Sequence, residues 1–145
     1  MSSARITLAG AELFAAQMFG QAVTPAEEYW IGLCLTSPTV SMTGIELDEP
    51  NDTPTYVRQR IGNNSGSWGT DSNLQRYNTV TLLFPAATVD WGIVKYWAMC
   101  SEDTEGLVYA FGDVVNPVDV KAGEDIAIGV GAMSFSMNVL FQVPA

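Results

Sequence analysis

The stretch FPAATVDWGIVKYWAMC, Phe84 to Cys100, carries the strongest fold signal in the chain. A strand with one buried face alternates apolar and polar residues, but this stretch is apolar on both sides. With a period of two, one face carries Trp91, Ile93, Trp97 and Met99, and the other carries Val94, Tyr96, Ala98 and Cys100. One face is expected to meet an opposing sheet. The other needs a helix, a long loop or another subunit, and we expect one of the two faces to lie near an intersubunit contact. Gly92 is expected to mark a bend or bulge that turns Trp91 inward.

Short strand patterns recur along most of the chain. They include YWIGLCLTS, YVRQRI, TVTLLF, GLVYAFG, DVV, IAIGV and AMSFSMNVLF. No helical crossovers separate them, so the pattern predicts a mainly β fold, an antiparallel β-sandwich or a jelly-roll-like barrel. Asn116-Pro117 is predicted to break a strand, and GNNSGSWGTDSN is predicted to be a loop because of its composition.

One short helix is predicted at the N-terminal end, over about residues 8–19. Thr7 fits an N-cap, Gly20 fits a stop signal, and apolar residues between them recur at helical spacing. We expect this helix to form a lid on the core of its own domain. At 145 residues, the chain is expected to form a single domain over residues 1–145.

The excess of acidic residues limits the classes of partner that the chain is expected to bind. Sixteen acidic residues face six basic ones, and the net charge of −10 argues against nucleic acid or an anionic membrane as a partner. We also expect no secretion signal and no membrane-spanning segment. Only 15% of the residues are charged while 48% are hydrophobic. This composition favours a large core together with faces that assemble with other chains.

Residues that carry catalytic chemistry are scarce. The chain has no histidine, which removes the commonest general base and metal ligand. The acidic segments ELDEPND and SEDTEG are interpreted as solvated turns rather than calcium loops. Cys34 and Cys100 are expected to be buried reduced thiols, although the sequence leaves a disulfide open. We therefore expect no enzyme activity, no cofactor and no metal.

Aromatic and basic residues supply the candidate interface. They are Tyr56, Arg58, Arg60, Trp68, Trp91, Val94, Tyr96 and Trp97. Arg58 and Arg60 fall on one predicted strand face with Tyr56. They either form an exposed polar face or reach acidic groups of a neighbouring subunit. Trp68 either folds back on its own domain or offers a platform for sugars.

Five segments in a fixed order carry a family resemblance. They are YWIGLCLTSP, GIELDEP, YVRQRI, NTVTLLFPAATVDWGIVKYWAMC and GLVYAFGDVVNPVDVKAGEDIAIGVGAMSFSMN. Over about Leu8 to Asn138 the chain resembles a family of small virion structural proteins of tailed bacteriophages, described as tail-fibre or minor tail proteins. Some similar small β-proteins decorate the capsid. The block around Trp91-Gly92 is the most specific part. DEPNDTPT and YWAMCSED depart from the family pattern, and the family offers no catalytic residues.

The resemblance implies a non-enzymatic virion structural protein, made in the host cytoplasm. Within that class we favour a head decoration protein that binds and stabilises the capsid lattice, with a tail, neck or tail-fibre component as the alternative. A carbohydrate-binding receptor module is the competing class. The expected partners are further copies of the chain, as a homo-oligomer and specifically a trimer, and virion proteins such as the major capsid protein or a tail protein.

Overall fold

The computed structural model describes residues 4–24 and 26–136, and their fold is mainly β with one helix. The helix is α1 (Leu8–Met18), and the strands are β1 (Arg5–Ile6), β2 (Glu28–Cys34), β3 (Gln59–Gly62), β4 (Trp68–Thr70), β5 (Gln75–Asn78), β6 (Leu82–Leu83), β7 (Gly92–Cys100), β8 (Val108–Val120), β9 (Ala127–Ile128) and β10 (Ser134–Ser136). A short 3₁₀ helix covers Gly44–Glu46. The predicted last strand, AMSFSMNVLF, lies outside the described residues from position 137 onward.

The strands form three antiparallel sheets in a sandwich-like arrangement. A five-stranded sheet has the order β1-β8-β7-β2-β3, a three-stranded sheet has the order β10-β5-β4, and β6 pairs with β9. The antiparallel, mainly β fold predicted from the sequence is confirmed. The strand at Trp68–Thr70 corrects the prediction of a loop there, because pairing with β5 outweighs a local composition rich in Gly, Ser and Asn.

The five-stranded sheet is buried on both faces by its own chain. One face packs against the smaller sheets, in a cluster that includes Ile31, Leu82, Trp97 and Phe135. The opposite face, with Ala98 and Cys100 at its centre, is covered by the segment that carries Met42 and Leu47. A long loop therefore supplies the second cover that the apolar stretch from Phe84 to Cys100 requires.

A bulge in the pairing of β7 with β8 changes which residues of β7 share a face. Val94 pairs with Val118, but Tyr96 pairs with Asp113, so Lys95 stands opposite the four residues 114–117. The bulge puts Val94, at 0% exposure, on the same core face as Trp97. Ile93 is instead 47% exposed. The face assignments of Ile93 and Val94 from a simple period of two were wrong, because a bulge inverts the alternation.

The same bulge explains the segment at Asn116-Pro117. Strand β8 continues through it, so the predicted strand break is wrong, but the ladder is interrupted there. Proline fits because a residue in a bulge need not donate to the ladder. At the start of β7, Gly92 has a φ of +92°. Trp91 is only 4% exposed, which confirms the expected inward turn at this glycine.

Helix α1 docks on β8 through its first turn. Thr7 caps the helix by accepting a hydrogen bond from the Gly10 backbone N–H at 3.1 Å, and its hydroxyl donates to the Val108 carbonyl oxygen. A Cβ atom on Gly10 would lie 2.2 Å from the Tyr109 carbonyl oxygen, so only glycine permits this close contact.

The rest of α1 is less buried than its apolar residues suggested. Phe14 is 43% exposed and Met18 76% exposed, and Phe19, just after the helix, is 80% exposed. The lid prediction therefore holds for the first turn alone. Within residues 4–24 and 26–136, no helix is long and apolar enough to cross a membrane.

Candidate functional site

The eight predicted interface residues differ in their burial. Four of them, Arg58, Trp91, Val94 and Trp97, are at most 4% exposed and are covered by their own chain. Tyr56, Trp68 and Tyr96 are half-buried, and Arg60 is exposed. The predicted intersubunit role stays a prediction for all eight.

Arg58 forms the centre of a buried polar cluster, which we call the Arg58 clamp. Its Nε and Nη2 atoms donate to the two carboxylate oxygens of Glu49 at 2.8 and 2.9 Å. Nη1 donates to the carbonyl oxygens of Glu102 and Glu105, both at 2.9 Å, and Nη2 also donates to that of Gly44 at 3.1 Å. These five bonds match the five N–H groups of a guanidinium. Arg58 is 4% exposed, so the first alternative, an exposed polar face, is wrong for this residue. Its carboxylate partner, Glu49, lies in the same chain.

Burial and ion pairing shift the pKa of Arg58 in opposite directions. Burial lowers the pKa of Arg58, but hydrogen bonding to Glu49 and the surrounding negative charge raise it, and the net shift is upward. Arg60 differs, because its pair with Glu28 at 2.7 Å leaves the arginine side chain 66% exposed. The two arginines therefore have different environments despite lying two residues apart.

Tyr56 and Gly32 complete the clamp. The Tyr56 hydroxyl donates to Glu49 Oε1 at 2.7 Å and accepts from the Leu33 backbone N–H at 2.9 Å. Leu33 lies beyond the part of β2 that pairs with β3, so its backbone N–H is at the edge of the sheet and the Tyr56 hydroxyl gives it a hydrogen-bond partner. A Cβ atom on Gly32 would lie 2.4 Å from Glu49 Oε1, so the glycine makes room for the carboxylate.

Asp52 anchors the same acidic segment at a second point. Its carboxylate accepts from the Thr88 backbone N–H and from the Trp91 indole Nε1–H, both at 2.8 Å, and from the Thr88 hydroxyl. These hydrogen bonds, with Thr88 as the main contributor, lower the pKa of Asp52. Glu49 and Asp52 therefore hold the loop in place, which corrects the interpretation of the whole ELDEPND segment as solvated turns.

Cys34 and Cys100 are both free and buried. Cys34 lies opposite Tyr96 and Cys100 opposite Trp30, so the two thiols are separated by four residues along the strands. That separation is roughly 13 Å, well beyond the Cα distance of about 7 Å that a disulfide allows. Among the described residues, no group of three or more His, Cys, Asp or Glu side chains is placed to hold a metal ion.

An open groove of about 620 Å³ lies between α1 and the two larger sheets, and we call it the α1 groove. It is lined by Ile6, Gly10, Leu13, Phe14, Gln17, Ala26, Tyr29, Asn63, Asn64, Ser65, Trp68, Thr70, Arg76, Met99, Tyr109, Ala110 and Phe135. Two edge-to-face aromatic pairs stand in its walls: Tyr29 with Tyr109 at 5.9 Å, and Trp68 with Phe135 at 5.8 Å between ring centroids.

Sequence reasoning identified one aromatic residue of this groove as a candidate, Trp68. Its indole Nε1–H donates to the Gly62 carbonyl oxygen at 3.0 Å, so the ring folds back on its own domain and also lines the groove. Tyr29 was noted only as a strand residue, and Tyr109 and Arg76 were missed. No local pattern could have indicated them, because β2, β5 and β8 meet only through the tertiary fold.

Comparison with known proteins gives the class of the chain. The chain belongs to the class of bacteriophage virion structural proteins, as the resemblance over Leu8 to Asn138 predicted. The matching family model is described as Podophage GP4 fiber I protein gp80 and covers residues 6–136, and the chain belongs to this family. No curated protein matches the chain.

Proposed function

We propose that this protein is a non-enzymatic structural component of a virion fibre. The observation that carries the proposal is the match of residues 6–136 to a family described as a fibre protein. The sequence alone favoured head decoration, with a tail-fibre component as the alternative. We adopt the alternative because the family description names a fibre and does not mention a capsid decoration.

The side chains inside the fold support a structural role. The buried or half-buried carboxylates of Glu49 and Asp52 are bonded to Arg58, Trp91 and Thr88 of the same chain. Carboxylates engaged in this way hold loops together and are not free to exchange protons with a substrate. The absence of histidine from the sequence points in the same direction.

The surface of α1 supports assembly with other virion proteins. Leu8, Met18 and Phe19 are 65%, 76% and 80% exposed, respectively. Met18 and Phe19 are neighbours at the C-terminal end of α1 and Leu8 is at its other end, and large exposed apolar side chains of this kind favour a protein contact. We propose that this surface contacts a neighbouring subunit, and that the chain assembles as a homo-oligomer, specifically a trimer, before it joins the particle.

Labelling of intact virions tests where in the particle this protein lies. Nanogold bound to an epitope tag on this protein is expected to decorate fibres when particles are imaged by electron cryomicroscopy. Label distributed over the capsid faces would contradict the fibre proposal and restore head decoration.

Substitution on α1 tests the contact surface. Met18→Glu is expected to reduce incorporation of the protein into particles, measured by immunoblotting of purified virions. Leu83→Glu is the matched control, because Leu83 is 60% exposed on β6. Equal incorporation of both variants would contradict the role of α1, and a monomeric wild-type protein in light scattering would contradict the trimer.

A further inference from the structure

The α1 groove has a mainly apolar lining that also carries polar groups without hydrogen-bond partners. Within the described part of the chain, the Tyr29 and Tyr109 hydroxyls form no hydrogen bond, and Arg76 has no carboxylate partner. Its one hydrogen bond is long, 3.5 Å from Nη1 to the Gln75 carbonyl oxygen. No buried side-chain nitrogen or oxygen among the described residues lacks a hydrogen-bond partner, so these unpaired groups face the solvent in the groove, where a ligand can reach them.

The fold places these groups on facing walls. Residue 109 has no partner on β7, since Met99 pairs with Ala110 and Cys100 with Val108. This second bulge lets Tyr109 turn to the same side as Ala110 and reach Tyr29. Opposite them, Thr70, Arg76 and Phe135 lie in one cross-strand row of the three-stranded sheet.

The charge of the groove is opposite to that of the protein. The chain carries sixteen acidic residues, yet no Asp or Glu is among the described residues that line the groove. Arg76 is their only charged side chain. Three carboxamides, of Gln17, Asn63 and Asn64, add hydrogen-bonding capacity along the rim.

We propose that the α1 groove binds an oligosaccharide that contains an acidic sugar. The aromatic rings present flat apolar faces to the C–H faces of pyranose rings, the tyrosine hydroxyls and carboxamides bond sugar hydroxyls, and Arg76 pairs with the sugar carboxylate. This inference goes beyond the fibre proposal. It rests on the groove alone and holds wherever on the virion the protein is placed.

The chemistry of the walls favours a sugar over a peptide or a second copy of the chain. An extended peptide would be bound through the backbone donors and acceptors of a free sheet edge, whereas this groove is walled by side chains. A second copy of this protein brings a surface with a large excess of carboxylates and few cations, and many of these carboxylates would face a single guanidinium. A sugar needs both the apolar faces and the dispersed polar groups that the groove provides.

Saturation-transfer NMR on the purified full-length protein tests the proposal. The probes are tetragalacturonate and sialyllactose as acidic sugars, and cellotetraose and chitotetraose as neutral ones, each at about 5 mM to detect millimolar affinities. We expect transfer to at least one acidic probe, and weaker transfer to the neutral ones. Absence of transfer to all four would overturn the proposal.

Three conservative variants identify the groove as the site. Tyr29→Phe keeps the ring and is expected to weaken binding about 3- to 10-fold by removing one hydrogen bond. Arg76→Gln is expected to reduce the preference for the acidic probe about tenfold. Tyr77→Phe is the matched control, because the Tyr77 ring covers Gly69 and does not line the groove; it should bind as the wild type does.

Two results would contradict the assignment. One is an equal loss of binding in Tyr77→Phe and Tyr29→Phe. The other is a wild-type oligomer that gives no sugar signal and dissociates on Arg76→Gln, since a second copy would then cover the groove. If circular dichroism shows that Arg76→Gln does not fold, the sugar binding of Tyr29→Phe alone tests whether the groove is the site, because this variant removes a single oxygen atom.

Discussion

Replacing Arg58 by alanine removes the centre of the Arg58 clamp and leaves its partners in place. Glu49 keeps its bond from the Tyr56 hydroxyl but loses the bidentate contact at 2.8 and 2.9 Å. Three carbonyl oxygens, of Gly44, Glu102 and Glu105, lose a donor at the same time. The Glu49 side chain is only 19% exposed, so solvent replaces the lost contacts incompletely.

The expected loss of stability is large for one side chain. Removing one partner of a buried ion pair costs about 3–5 kcal/mol, because the other charge is left uncompensated. For 145 residues, an unfolding entropy of about 2.1 cal/mol/K per residue gives about 0.3 kcal/mol/K. A loss of about 4 kcal/mol therefore lowers the melting temperature by about 13 °C.

Urea denaturation followed by tryptophan fluorescence, together with calorimetry, measures the effect. Arg60→Ala is the matched control, because an exposed ion pair contributes about 1 kcal/mol or less. A double variant, Arg58→Met with Glu49→Met, should recover part of the loss, since it removes both charges. If Arg58→Ala destabilised the protein no more than Arg60→Ala, the reasoning about the clamp would be refuted.

Three further predictions concern acid, thiols and the helix. Hydrogen bonds lower the pKa of Asp52 in the folded state, so its carboxylate stabilises the protein at pH values above the pKa of about 3.9 that an aspartate has in the unfolded chain. In urea denaturation, the difference in stability between the wild type and Asp52→Asn should shrink as the pH falls below that pKa. A difference that stays constant with pH would contradict this role of Asp52. Burial raises the pKa of both thiols, that of Cys100 to about 12. Neither thiol should therefore react with Ellman's reagent at pH 8 until the protein unfolds, and rapid labelling of the native protein would contradict this. Gly10→Ala should destabilise the protein by about 1–3 kcal/mol, since the added Cβ atom would meet the Tyr109 carbonyl oxygen at 2.2 Å; unchanged urea denaturation would show that α1 shifts freely.

Local periodicity was sufficient to predict the fold class and the best strands. Strands β2 and β7 follow from apolar runs bounded by turn residues, and α1 follows from Thr7 and Gly20 as its boundaries. These features depend on residues close together in sequence. The same reasoning failed at Ile93 and Val94, because the bulge that inverts their faces is set by four residues of the partner strand.

The sequence indicated Tyr56 and Arg58 as candidates, but the partners of these polar side chains could not be predicted from it, for a related reason. Arg58 has the same local surroundings as Arg60, and what separates them is the distant carboxylate and carbonyl oxygens that converge on Arg58 alone. The α1 groove shows the same limit, since Tyr29, Arg76 and Tyr109 come from three separate strands. Only Trp68, an aromatic residue in a segment rich in Gly and Ser, gave a signal in the sequence.

The Arg58 clamp holds the fold together in the same way inside the host cell and in the released virion. It joins segments that lie 9 to 47 residues apart in the chain, much as a crosslink does, while the two cysteines remain unpaired. A crosslink made of charge and hydrogen bonds does not depend on the redox potential of its surroundings. The fold can therefore be completed in a reducing cell interior and kept in an oxidising medium without any covalent step between them.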